Sequence, residues 1–340
     1  MPFEIVRNDI TKMAVDAIVN TANPQPTIGE GTDSMIHQAA GPRLLQARQK
    51  IGPIDVGCAA ITPAYGLNAK FVIHTVGPVW DGGSYGEETL LRSCYDNALS
   101  LALKHKCRSV AFPLISTGAY GFPKDKGLQI AISAFSEFLL TQEMQIYLVV
   151  FDRTSFHLSE KLFQKIVSYI DENYVDEHIF TPCEMAQESR QPRRHRDMEP
   201  RALAEERLPY APVTASKAHS LKDMLEQEDA GFTETLLKRI DKTGKKDSEI
   251  YKKANLSKQH FSKIRNNPQY KPTKPTAIAL ALALELNLEE TRDLIGRAGY
   301  ALTNSSKFDL IVRYFIENRN YNVLEINMAL YEFDQPLLGV

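Results

Sequence analysis

Along the first half of the chain, short apolar runs bounded by glycine and proline alternate with longer stretches of helical period. The runs at residues 3–6, 17–19, 59–62, 71–75, 109–113 and 145–151 read as strands. Helical spacing predicts helices over residues 32–48, 85–105, 124–140 and 156–174. In the first of these, Met35, Ile36, Ala39 and Ala40 form one apolar stripe, and Thr32 stands where a cap belongs. Strands alternating with helices predict a mixed, mostly parallel sheet covered on both faces, a three-layer α/β/α domain. In such sheets ligands lie outside the carboxyl ends of the strands. Residues 20–31, 116–121 and 151–152 converge there.

Near residue 176 the pattern changes. Pro182, Pro192, Pro200, Pro209 and Pro212 punctuate a stretch holding Arg190, Arg193, Arg194 and Arg196, with no steady period. Residues 176–215 read as a flexible linker whose arginines are most simply solvated. Helical spacing returns over residues 232–241, 247–254, 257–266, 276–286, 288–298, 308–318 and 323–333. The expected organisation is therefore an α/β domain over 1–175, a linker over 176–215 and an all-α domain over 216–340.

Composition supports two globular domains: 340 residues, 43% hydrophobic and 24% charged, bury real cores. The net charge of −2 points to no whole-chain partner, but the charge is uneven. Residues 236–274 hold twelve Lys or Arg against three Asp or Glu, an excess of nine. Such an excess marks either a nucleic-acid footprint or a solvated helical face. Cysteines at 58, 94, 107 and 183 show no paired spacing, which fits reduced thiols better than a zinc site or disulfides. Glu4, Arg7 and Asp9 exclude a secretory apolar core at the start, and no apolar run nears the roughly 20 residues of a membrane helix. A cytoplasmic protein with no membrane association, no metal and no resident cofactor is expected.

The chemistry concentrates in residues 17–40, where a strand leads through a Pro/Gly loop into a helix start. Free N–H groups and the dipole of such a helix end attract anions. Gly29 and Gly31 permit close backbone approach. Gly118, Ala119, Tyr120 and Gly121 offer a second set of N–H groups. Asp33 suits the first helical turn on dipole grounds alone, and His37 follows one turn later as a packed or a catalytic histidine. Asp9, taken alone, reads as a turn cap.

Five ordered motifs carry a resemblance: NDIT at 8–11, VDAIVNTAN at 15–23, GTDSMIHQAAGP at 31–42, VIHTVGP at 72–78 and PLISTGAYGFP at 113–123. Together they resemble the macrodomain family over about the first half of the chain. That family binds ADP-ribose, and many members hydrolyse ADP-ribosyl bonds. The resemblance implies that Asp9, with Ile10 beside it, accepts from the adenine amine, and that Phe151 and Asp152 line the adenine pocket, unless Phe151 is core. It implies that Asn23 holds the distal ribose while Asn20 braces the loop. Asp33 would orient that ribose or activate water at its anomeric carbon, with Asn23 and His37 completing the catalytic set. Gly29, Gly31, Ser116, Thr117, Gly118, Ala119, Tyr120 and Gly121 would surround the pyrophosphate, and Phe122 would offer its ring to a ribose.

One departure stands out. Hydrolytic relatives carry a run of glycines before the helix aspartate, whereas here the loop reads Ile28, Gly29, Glu30, Gly31. A carboxylate beside two phosphates must face solvent or serve a specific purpose, such as acid/base chemistry. Two functions follow: an enzyme removing ADP-ribose from protein, nucleic acid or O-acetyl-ADP-ribose, or a non-catalytic ADP-ribose reader. In the second domain, residues 248–267 resemble a lambda-repressor-like helix-turn-helix. Its second helix, from Ser257, would present Lys258, Gln259, His260, Lys263 and Arg265 to DNA or RNA.

Overall fold

The computed structural model describes residues 2–151, 159–174 and 230–339. The predicted linker at 176–215 with its arginines, Cys183 and Asp152 lie outside them. Met1–Tyr174 and Gly231–Val340 together form one compact unit.

Six strands build one sheet: β1 (Phe3–Arg7), β2 (Val15–Thr21), β3 (Ala59–Pro63), β4 (Ala69–Thr75), β5 (Ser109–Phe112) and β6 (Gln145–Val150). Their order is β1-β6-β5-β2-β4-β3, with every neighbouring pair parallel except β3 on β4. Strand β2 lies inside the sheet and is buried from Val15 to Asn20, which explains the apolar run at 17–19. Its alternating side chains feed two cores. Ile18 packs with Ile36, Ala40 and Leu44, from α1 (Thr32–Ala40) and α2 (Pro42–Ile51). Val19 belongs to the opposite core with Leu91 and Tyr95 of α3 (Glu87–Lys104) and Phe135 of α4 (Lys124–Thr141). The expected three layers are present.

The single helix expected over 32–48 is instead two. Gly41 takes φ 80°, and its N–H closes α1 on the His37 carbonyl. Pro42 then opens α2 at the first-turn position, where a missing N–H costs nothing. The bend turns α2 so that Arg48 points back beneath the loop before α1.

After α5 (Glu160–Asn173), the described chain resumes with seven helices: α6 (Phe232–Thr243), α7 (Asp247–Lys253), α8 (Lys258–Arg265), α9 (Lys274–Ala283), α10 (Leu288–Gly296), α11 (Lys307–Glu317) and α12 (Val323–Glu332). Helix α9 is buried from Thr276 to Ala283 and packs against α7, α10 and α12. Ser257 caps α8 by accepting from the His260 N–H. Asn287 and Glu290 form a reciprocal capping box on α10.

These helices cover the open edge of β1. Asn255, in a left-handed conformation (φ 55°), accepts from the Phe3 N–H at 3.0 Å and donates to the Phe3 carbonyl at 3.0 Å. The amide thereby imitates one rung of a neighbouring strand. Tyr251 donates to Glu143 at 2.8 Å, Tyr169 to Glu317 at 2.7 Å, and Phe163 stacks on Phe333 at 5.1 Å. Among the described residues Cys58, Cys94 and Cys107 are free thiols, and no helix is long and apolar enough to cross a membrane.

Candidate functional site

A cleft of about 690 Å³ opens at the carboxyl ends of β2 and β5, between the loop that follows each. The first loop contributes Asn23 and residues 28–31, the second contributes Ser116, Gly118, Ala119 and Tyr120. Gly29 sits against the Asn23 side chain, so a Cβ there would fall 3.0 Å from its amide nitrogen. Tyr120 crosses from the second loop, its hydroxyl 3.4 Å from Asn23 Oδ1. Gly31 takes φ 61°, a conformation that L side chains rarely adopt, and turns the chain into α1. The two predicted cradles therefore face each other.

Beneath the first loop lies a buried polar network. Asp33 is 2% exposed and does not line the cleft. One carboxylate oxygen accepts from the Gly29 N–H at 2.5 Å, the other from Asn20 Nδ2 at 2.6 Å. His37 Nε2 stands 3.6 Å from the same carboxylate. Burial lowers the His37 pKa, with Asp33 opposing and Arg48 adding to the shift. Arg48 donates to the Asn23 and Pro24 carbonyls at 3.2 Å and also to that of Gly52. The loop is thus held at its start by Arg48 and near its end by Asp33. Asn20 braces Asp33 directly, and the loop backbone through it.

His74 completes this network, and it was not singled out as a site residue from the sequence. It pairs with Asn20 across β2 and β4, and the Asn20 amide nitrogen lies 3.2 Å from His74 Nδ1. An amide nitrogen cannot accept, so Nδ1 is the acceptor and Nε2 carries the proton toward Thr62 Oγ1 at 3.0 Å. Burial, with the nearby Arg48 and His37 charges, brings the His74 pKa down to about 3, so the ring is neutral at physiological pH. Only strand register could have revealed this partner.

The second loop owes its shape to Ser116, a buried residue at φ 63°. Gly77 makes room for it: a Cβ there would lie 2.0 Å from Ser116 Oγ. Thr117 anchors by donating to the Leu114 carbonyl at 3.2 Å. Gly118 and Ala119 are exposed, and Gly121 reverses the chain at φ 66°. That reversal sends Phe122 inward, contrary to its expected place beside a ribose. At 1% exposed it packs edge-on against Trp80 at 4.7 Å and cannot present a face to the cleft.

At the outer strand ends Asp9 and Phe151 each lie just past one of the paired strands β1 and β6. Phe151 is 66% exposed, which rules out its core reading. Asp9 accepts from the Thr11 N–H at 3.0 Å and hydroxyl at 2.7 Å. Burial would raise its pKa, but these bonds and nearby Lys12 outweigh it and hold the carboxyl below its ordinary value. The Ile10 side chain is buried in the core, so only its backbone is free to meet a ligand. Ile28 and Glu30 are exposed at the cleft's edge.

The chain is similar to known proteins over the part that holds this cleft. The Macro domain family pattern matches residues 19–131. The chain is 52% identical over 146 residues to a macro domain-containing protein of Chlorobaculum tepidum, an overlap of 43% of this chain and 84% of that protein. It is 48% identical over 165 residues to a macro domain-containing protein of Methanosarcina mazei, covering 48% and 88% of the two chains. It is also 48% identical over 164 residues to the O-acetyl-ADP-ribose deacetylase of Escherichia coli K12, covering 46% and 93%. With about half of the aligned residues shared over more than four-fifths of each relative, this chain belongs to the macrodomain family.

Proposed function

We propose that the cleft binds ADP-ribose and hydrolyses ADP-ribosyl bonds, those of O-acetyl-ADP-ribose or of mono-ADP-ribosylated protein or nucleic acid. The observation that carries this reading is the pair of opposed backbone cradles, with Asn23 between them and Asp9 and Phe151 at the adjoining strand ends. The N–H groups of residues 30–31 and 118–120 take the pyrophosphate, a task for which backbone dipoles suffice, while the Gly29 N–H stays on Asp33 and the Gly121 N–H on the Gly118 carbonyl. Asn23 supplies both donors and an acceptor to the distal ribose diol. Asp9 accepts from the adenine amine, and Phe151 covers the base. Water placed between the distal ribose and the pyrophosphate attacks the anomeric carbon and breaks its bond to the acceptor, or attacks the ester carbonyl and releases acetate. Its proton passes to the leaving group or to solvent, and most of the rate comes from this positioning. Asp33 and His37 act from behind the loop, by fixing where Gly29 and Asn23 stand. The deacetylase named among the relatives supports an enzyme over a reader. Incubation with O-acetyl-ADP-ribose and with mono-ADP-ribosylated protein should release acetate or free ADP-ribose over many turnovers. Tight ADP-ribose binding with no release from any ester or glycoside leaves the non-catalytic reader as the function.

For the helical module we propose a nucleic-acid interface on α8, in keeping with its resemblance to a helix-turn-helix. Lys258, Gln259 and Lys263 project into solvent. Arg265 is tied to Asp247, and Lys245 and Lys253 share Glu285. Lys274 meets buried Asp309, so acids from neighbouring helices neutralise part of the local excess. Lys242, Lys246, Lys258, Lys263 and Lys271 keep no carboxylate partner among the described residues. The full chain should bind duplex DNA or RNA with a steep salt dependence, because phosphate contacts release counterions. Lys258→Glu with Lys263→Glu should lower that affinity about tenfold or more at low salt. Equal retention of the variant and the parent chain on both nucleic acids refutes the α8 interface.

A further inference from the structure

The cleft's lining carries one formal charge among the described residues, and it is negative. Glu30 is exposed at the edge of the first loop, one residue from the Gly29 and Gly31 amides. It makes no hydrogen bond or ion pair with any described residue. Asp33, the other carboxylate of this region, is buried with both oxygens engaged. Arg48 is buried behind the loop, its guanidinium committed to three carbonyls. No lysine or arginine lines the cleft to balance a diphosphate.

We propose that Glu30 selects the acceptor. On the ADP-ribose reading of the cleft, on which this rests, the substrate class is ADP-ribose attached to a polypeptide with lysine or arginine beside the modified residue. The bound diphosphate repels the Glu30 carboxylate, and a neighbouring cation on the acceptor relieves that repulsion. A carboxylate only accepts hydrogen bonds, and its strongest partners are ammonium and guanidinium groups. Its exposure at the edge lets the acceptor chain reach it while the ADP-ribose fills the space between the loops. Backbone amides bind the part shared by all such substrates, and the one charged side chain reads the part that differs.

The test uses the full-length protein, two synthetic peptides with the same mono-ADP-ribosylated residue, and free ADP-ribose. One peptide has arginines flanking the modified residue, the other aspartates, and binding is followed by fluorescence polarisation at low and high salt. The parent protein should prefer the basic peptide about five- to tenfold at low salt, with the margin shrinking as salt screens the charges. Glu30→Gln should bring the two peptides to near equality and tighten free ADP-ribose, and Glu30→Lys should reverse the order. Because Glu30 is exposed and unpaired, both variants should fold, as melting curves will check. An unchanged preference in Glu30→Gln, or no preference in the parent, overturns the proposal. Equal loss on both peptides in Glu30→Gln also overturns it and assigns Glu30 a general role in binding. If free ADP-ribose binds none of these proteins, the reading of the cleft itself fails and the proposal with it.

Discussion

Asp33→Ala should slow turnover by about 10²- to 10³-fold and weaken ADP-ribose binding in the same protein. The two losses are linked because Asp33 reaches the ligand only through the loop. Its carboxylate holds the Gly29 N–H at 2.5 Å and Asn20 Nδ2 at 2.6 Å; the variant leaves the first without an acceptor and the second with His74 Nδ1 alone. A donor left without its acceptor costs about 1–3 kcal/mol when buried, so losing the part-buried Gly29 bond and one of the two Asn20 bonds should lower the melting temperature as well. A residue that instead activated water directly would leave affinity nearly intact while turnover collapsed. Single-turnover release alongside calorimetry separates the two roles. Unchanged turnover and affinity in a folded Asp33→Ala protein would show that the loop stands without this anchor.

The second large effect belongs to the opposite cradle. Gly118→Glu should reduce ADP-ribose affinity by more than a hundredfold with little change in melting. The backbone at Gly118 has ordinary φ, and a Cβ would meet nothing within 4 Å, so the fold accommodates the side chain. The added carboxylate enters the space assigned to the pyrophosphate. A like charge about 4 Å away costs roughly 4 kcal/mol at an effective dielectric near 20, close to a thousandfold in affinity. Gly118→Ala is the control and should bind nearly as well as the parent. Wild-type affinity in the glutamate variant would place the phosphates somewhere else.

The strand ends and both loops were legible because local rules govern them. Glycine and proline mark the turns, and unbroken apolar runs mark buried parallel strands. Asn20 and Asp33 could be named from their positions around one loop. Their geometry was not legible: the dipole argument favours an acid in the first helical turn but is silent on whether it faces ligand or core. His74 and Arg48 were missed because their places depend on longer-range features. One needs the β2–β4 register and the other needs the bend at Gly41. Phe122 was misplaced because the reversal at Gly121 decides which way the next ring turns. The seven C-terminal helices were legible from their period, whereas the cover they give β1 includes an asparagine 252 residues from its partner.

That last contact has a consequence for the newborn chain. Strand β1 leaves the ribosome 252 residues ahead of Asn255, whose side chain bonds its outer edge. At the usual pace of synthesis, about 5–20 residues per second, the edge waits on the order of ten to fifty seconds for its cover. Throughout that interval the growing chain presents open backbone donors and acceptors to any strand nearby. Slowed translation lengthens the exposure, and a ribosome halted before residue 255 leaves a sheet with an uncapped side. The helices from Phe232 to Glu332 therefore protect β1 as well as serving whatever they bind.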